Sequence, residues 1–196
     1  MDLFEAINNR RSIRKYTSDP VDDKKINTIL EAGRWAPSWA NSQCSRFVVV
    51  RDAKVRAALG EAMVKMKGPD GKEFAPPSVA AINTVPVVIC VCGAIGASGV
   101  YPGAAGSPTY VTDKGDWFMY DTALATQNMV LAAHALGLGT VILGLFDAAK
   151  AEKAIAIPQG YRLVVMVPVG VPAQVGKAPP RKELSEIAFK DKFGGK

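Results

Sequence analysis

From residue 122 to residue 146 the chain carries no Asp, Glu, Lys or Arg, and this run limits the fold more than any other feature. A stretch of that length either spans a bilayer or must be wrapped by the rest of the protein. Gln127, Asn128 and His134 sit in its middle, and Gly137 and Gly139 break it. Thr140-Val-Ile-Leu then follows in strand-like composition. A span would strand those polar groups in hydrocarbon. The pattern therefore predicts a buried helix over about 116–136, closed by Gly137, then a buried strand over 140–143, with no membrane segment.

With 196 residues there is one domain's worth of chain, enough to bury a substantial core. Apolar residues make up 48%, which excludes a disordered chain. The net charge of +6 admits nucleic acid, an anionic membrane surface or a phosphorylated small molecule as partner. Cys44, Cys90 and Cys92 are the cysteines, and His134 is the single histidine. No Cys/His metal set can be assembled from them, so no metal is expected. Cys90 and Cys92 fall in a strand-like run, point the same way, and lie in a buried element. There is no secreted disulfide framework and no signal-peptide core at the N-terminus, so a reducing cytoplasm is the expected location.

Asp2 with Glu5 forms a capping-box signal for a helix through Asn9. Residues 10–16 then alternate in an extended way. Asp22 opens a helix with Ile26, Ile29, Leu30 and Gly33 on one face, stopping before Pro37. A polar loop over 38–43 leads to a strand at 47–50, and 53–66 is amphipathic helix. The Gly- and Pro-rich residues 68–78 are expected to be loop. Strand follows over 87–92, and the glycine-rich stretch 93–113 suggests a segment that moves over a site. Asp147 caps a helix to Ile155, 162–171 is the last long strand, and 172–196 is a polar extension with a turn of helix at 183–187. Strands interspersed with helices predict a layered α+β or α/β domain covering 1–196.

The densest chemical signal is Arg10, Arg11, Ser12 and Arg14. Guanidinium groups make permanent, bidentate contacts to phosphate oxygens, and a serine hydroxyl adds a donor. On an extended segment Arg10, Ser12 and Arg14 share a face. That is an anion site or, equally, a solvated basic patch. Ser38, Trp39, Asn41 and Gln43 offer polar groups suited to a heterocycle edge, but Pro, Ser and Asn also end helices. The run Gly-Leu-Gly-Thr-Val-Ile-Leu-Gly at 137–144 lacks the spacing of a nucleotide fingerprint. Its glycines either end a helix or let backbone N–H groups approach a flat ligand. Trp117, Phe118 and Tyr120 fit a pocket wall, an interface or a core. The alanines of 123–135 suit close helix approach at a dimer contact.

Taken in order, these segments resemble the nitroreductase family. The matching text is Arg-Arg-Ser-Ile-Arg-Lys-Tyr at 10–16, Ile-Leu-Glu-Ala-Gly-Arg-Trp-Ala-Pro-Ser at 29–38 and Asn-Ser-Gln at 41–43. It continues with Ala-Ala-His-Ala-Leu-Gly-Leu-Gly-Thr at 132–140, Val169-Gly170, and Pro180-Arg181-Lys182. The resemblance implies an α+β fold, a central mixed sheet flanked by helices, in an intertwined homodimer with FMN at the protomer interface. It implies that Arg10, Arg11 and Ser12 hold the FMN phosphate and ribityl chain, with Arg14 by N1 and the C2 oxygen. Ser38, Trp39 and Asn41 would come from the second subunit. Ile142, Leu143 and Gly144 would line the isoalloxazine, and Arg181 would reach the phosphate. The sequence departs from the family at Trp39, at Cys44-Ser45 where Pro-Trp is usual, at Leu143, and throughout 93–113.

The implied activity is electron transfer from NAD(P)H to small electrophiles such as nitroaromatics or quinones, by a ping-pong route that needs no acid–base side chain. Other reactions on the same scaffold are dehalogenation, dehydrogenation and flavin fragmentation, and a non-catalytic flavin carrier is a further alternative. Nucleic-acid binding lacks interleaved aromatics and a known motif, so no nucleic-acid partner is expected.

Overall fold

In the computed structural model, which describes residues 1–101 and 109–195 with the side chain of Pro77 apart, the expected capping box is formed. Asp2 accepts from the Glu5 N–H, and the Asp2 N–H donates to Glu5, opening α1 (Leu3–Asn9). Asp22 caps α2 (Asp23–Arg34), whose Ile26, Ile29 and Gly33 are buried as their spacing predicts. A 3-10 turn (Trp39–Asn41) leads to β1 (Ser45–Val50) and α3 (Ala53–Glu61). A hairpin of β2 (Met66–Lys67) and β3 (Glu73–Phe74) precedes α4 (Pro77–Thr84) and β4 (Val87–Ala94). Then come α5 (Phe118–Ala135), β5 (Gly139–Thr140), α6 (Ala148–Ala154), β6 (Tyr161–Gly170) and α7 (Leu184–Ile187).

The main sheet has the order β1-β4-β6-β5, with antiparallel neighbours throughout. A parallel bridge from Ser12 to Thr140 at its edge makes it mixed. β4 is its spine, and its side chains alternate between two cores. Val88, Cys90 and Cys92 pack with Leu59 of α3, Ile82 of α4 and Ala151 of α6. Val87, Ile89 and Val91 pack with Ile26 and Ile29 of α2 and with Met129, Val130 and Ala133 of α5. A strand covered on both faces needs an unbroken apolar run, which is why β4 shows no polar alternation. The domain is α+β, a sheet flanked by helices, and Cys90 and Cys92 share a face as expected.

Four local expectations change. The helix expected over 53–66 ends at Glu61, because Met63 bridges Phe146 and the Val64 N–H donates to Leu145 O at 3.3 Å. Those pairings with a distant segment win over helix continuation. The loop expected over 68–78 contains the β3 strand and the start of α4, where proline at the first helical position sacrifices no hydrogen bond. The strand expected over 140–143 is regular only over Gly139–Thr140, with Leu143 returning to bridge Met166. Finally, Ala125 and Ala133 serve close packing inside the protomer, each no more than 1% exposed. The outward stripe of α5 is instead Tyr120, Ala123, Gln127 and Ala135.

Among the described residues no helix is long and apolar enough to cross a membrane, and no group of three or more His, Cys, Asp or Glu could hold a metal. The segment 93–113 is described only at its flanks, where Val100 bridges Tyr110; residues 102–108 lie outside the described residues.

Candidate functional site

The basic segment is fixed by its two apolar members. Ile13 and Tyr16 are buried at 4% and 9% exposure, and the Tyr16 hydroxyl donates to Ile13 O at 2.6 Å. Burial drives the Tyr16 phenol well above its ordinary range, against the opposing pull of the Arg14 charge, so it stays a neutral donor. With Ile13 turned inward, Ser12 and Arg14 face out and are exposed, while Arg10 and Arg11 are half-buried. The segment is extended but pairs only through isolated bridges, Ser12 with Thr140 and Tyr16 with Pro172.

Arg10 and Arg11 line a cleft of about 160 Å³ with His134, Gly137, Gly139 and Thr140. Arg11 Nη1 donates to Asn8 O at 2.7 Å and Arg10 O at 2.8 Å, which ties its guanidinium to the end of α1. Arg14 Nη1 lies 3.5 Å from Ser12 O, at the limit of a hydrogen bond. None of Arg10, Arg11, Arg14 and Arg181 takes part in an ion pair among the described residues. His134 Nε2 is buried without a hydrogen-bond partner. Burial lowers the His134 pKa, and the charges of Arg10 and Arg11 lower it further. Unpaired guanidinium groups around an orphaned imidazole nitrogen form a donor set that fits a phosphate ester.

Ile142 and Gly144 continue from the same edge and are exposed, whereas Leu143 is buried at 6%. The Leu143 N–H donates to Met166 O at 2.9 Å, so that amide is already committed. Nothing approaches within 4 Å of the space where a Gly144 side chain would stand. The structure thus pairs the 10–14 segment with Thr140, two to four residues ahead of 142–144 in the chain. It does not bring Arg181 to them: its Nη1 donates only to Pro179 O and Pro180 O in the exposed tail.

Ser38, Trp39 and Asn41 lie at the other end of α5. The Trp39 N–H donates to both carboxylate oxygens of Asp121 at 3.2 Å, near the N-terminus of that helix. Ser38 Oγ accepts from the Gln43 N–H at 2.9 Å, and Asn41 is exposed at φ 56. From Asp121 to His134 is about 20 Å along the helix at 1.5 Å per residue. Within one protomer the 38–41 segment and the cationic cleft are therefore apart. Trp117 stacks against Trp39 with centroids 4.9 Å apart, and Tyr120 meets Trp117 edge-on at 5.4 Å. Cys44 is 1% exposed, and burial lifts its thiol to about 11, with the Asp121 carboxylate adding to the rise, which makes it a poor nucleophile.

Sequence reasoning missed Asp121 and Ser98. Asp121 is the one acid on α5, directly before the uncharged run, and a lone charge at the head of an apolar helix is the signal that points to it. Ser98 carries no such mark.

The model of the nitroreductase family matches residues 7–171. A protein of Methanothermobacter thermautotrophicus, provisionally named an NADH dehydrogenase/NAD(P)H nitroreductase, is 30% identical over 89% of this chain and 79% of its own. The NADPH-flavin oxidoreductase of Vibrio harveyi is 27% identical over 98% of this chain and 75% of its own. A solved structure from Desulfovibrio desulfuricans, provisionally a nitroreductase and in complex with FMN, superposes with a TM-score of 0.73. It is 31% identical and covers 98% of each chain.

Proposed function

We propose, from the fact that this chain belongs to the nitroreductase family, that it is an FMN-dependent oxidoreductase. It passes electrons from NAD(P)H to small electrophiles such as nitroaromatics or quinones in two alternating half-reactions. The observation that carries this reading is the cleft where Arg10, Arg11 and His134 meet without an ion-pair partner among the described residues. The flavin, when bound, supplies the two-electron chemistry, and the protein supplies position and charge.

Arg10, Arg11 and Ser12 hold the phosphate and ribityl chain, and Arg14 places a permanent positive charge by N1 and the C2 oxygen. Ile142, Leu143 and Gly144 line the ring. Since the Leu143 N–H is taken by Met166, the Ile142 and Gly144 N–H groups are the amides left to face it. Arg181 reaches the phosphate only by movement of the tail. Ser38, Trp39 and Asn41 come from a second copy of the chain, a reading supported by the length of α5 that separates them from the cleft.

The test is the visible spectrum of purified protein, recorded again anaerobically after NADPH. A flavin band that bleaches on NADPH and returns with a nitroaromatic or quinone is expected. Colourless protein that takes up no added FMN overturns the reading.

A further inference from the structure

Asp121 is 2% exposed, and its carboxylate gathers donors from two separate stretches of chain, 39–44 and Ser98. Besides the Trp39 N–H on both oxygens, Oδ2 accepts from Ser42 Oγ at 3.1 Å, Cys44 Sγ at 3.4 Å and Ser98 Oγ at 2.7 Å. Between Trp39 and Cys44 the backbone is in an unusual state: Ala40, Asn41 and Gln43 lie at φ 44, 56 and 48. None is a glycine. Left-handed residues crowded this closely persist only where the surroundings hold them. Asp121 grips the segment before, within and after those residues, and Ser98 joins it to the flank of 93–113.

Resting on the flavin reading above, we propose that Asp121 is a positioning residue for that reaction. It holds 38–43 in the conformation that meets the cofactor, and through Ser98 it sets the acceptor-side loop and the cofactor-side loop as one unit. A carboxylate is required because every partner is a donor. An asparagine would bring two donors of its own into a buried cluster that already has too few acceptors.

The experiment compares Asp121→Asn, Ser42→Ala and Ser98→Ala with the wild type as full-length chains. One readout is independent of flavin: the near-UV circular dichroism of the Trp39–Trp117 pair, 4.9 Å apart, in the flavin-free protein. The others are the FMN dissociation constant and the acceptor KM. Asp121→Asn should lose the tryptophan signature and bind FMN roughly tenfold more weakly, the worth of one charge-assisted hydrogen bond. Ser42→Ala should weaken FMN alone, and Ser98→Ala should raise the acceptor KM with FMN affinity unchanged. A residue that only stabilises the fold would lower the melting temperature without that split. Asp121→Asn with wild-type dichroism and FMN affinity overturns the proposal, as does Ser98→Ala with weakened FMN and an unmoved acceptor KM. Should Asp121→Asn fail to fold, the two serine variants decide. Wild-type protein that takes up no FMN sinks the flavin reading, while the dichroism still decides whether Asp121 sets the loop.

Discussion

The Ile13 N–H donates to Thr140 O at 2.8 Å, and this bond sets the basic segment beside the strand end that continues to Gly144. On the flavin reading, a ligand held by its phosphate at the guanidinium groups would have its flat end directed along 142–144, which follow Thr140 in the chain. Arg14→Ala should lower flavin occupancy or slow flavin reduction, since a hydrogen bond to a charged group is worth roughly 1.5–3 kcal/mol. Absorbance of the purified variant and stopped-flow reduction by NADPH measure the two outcomes. Unchanged occupancy together with an unchanged reduction rate would remove Arg14 from the site.

His134, as the single histidine, reports on the cleft without overlap from other imidazoles. Its pKa is lowered in the fold by burial and by Arg10 and Arg11, so folding favours the neutral ring. The stability this contributes is present above the ordinary value of 6.5 and is lost as pH falls through the lowered folded value. An anion that neutralises the two arginines should raise the His134 pKa and flatten that loss. Proton NMR titration with and without FMN, with inorganic phosphate as a second probe, follows the shift. No movement with either ligand would place the phosphate elsewhere.

Substrate choice is expected to lie with residues 93–113. Their described flanks are anchored by the Gly96 N–H on Asp116 at 2.6 Å and by Trp117 Nε1 on Thr112 Oγ1 at 3.1 Å. Exchanging 102–108 between those anchors should change relative rates among acceptors and leave FMN content as it was. Loss of flavin on that exchange would assign the loop to the cofactor instead.

Gly33 lies where α2 crosses α5, and a Cβ there would stand 2.8 Å from Met129 Cγ and 3.0 Å from Phe47 Cζ. Alanine gains about 1 kcal/mol in helix propensity over glycine, but overpacking a buried contact costs roughly 1–3 kcal/mol. Gly33→Ala should therefore be destabilising on balance, read as a lower urea midpoint with an unchanged slope. A raised midpoint would mean that Met129 swings aside freely.

The outward stripe of α5 gives the proposed dimer its most direct test. Ala123→Glu adds charge to an exposed position and leaves both cores intact, whereas charge at Ala125 would wreck the protomer itself. Sedimentation should show Ala123→Glu shifted toward monomer and losing its flavin together with its partner. A dimer of wild-type strength would move the interface off this face.

What the sequence made legible was whatever local chemistry decides. The Asp2 and Asp22 caps, the inward face of α2 and the buried β4 follow from neighbouring residues, and the structure has them as expected. Tertiary pairing erased other signals, as where Met63 leaves the helical path to meet Phe146. The helix at Pro77 was hidden because Pro76-Pro77 reads equally as loop and as helix start. In the candidate site, the basic residues announce themselves by charge. The carboxylate that organises the opposite loop does not, because its partners are a main-chain amide, two hydroxyls and a thiol from distant segments.

The separation along α5 has a genetic consequence. On the two-chain reading, each site takes its cationic half from one copy and its 38–41 half from the other. A lesion at Arg10 on one chain and a lesion at Asn41 on the other therefore fall on the same site when the two mutant chains pair. One site of such a mixed pair collects both defects, and the other is wholly wild type. Two alleles that are each inactive when expressed alone should complement when expressed together.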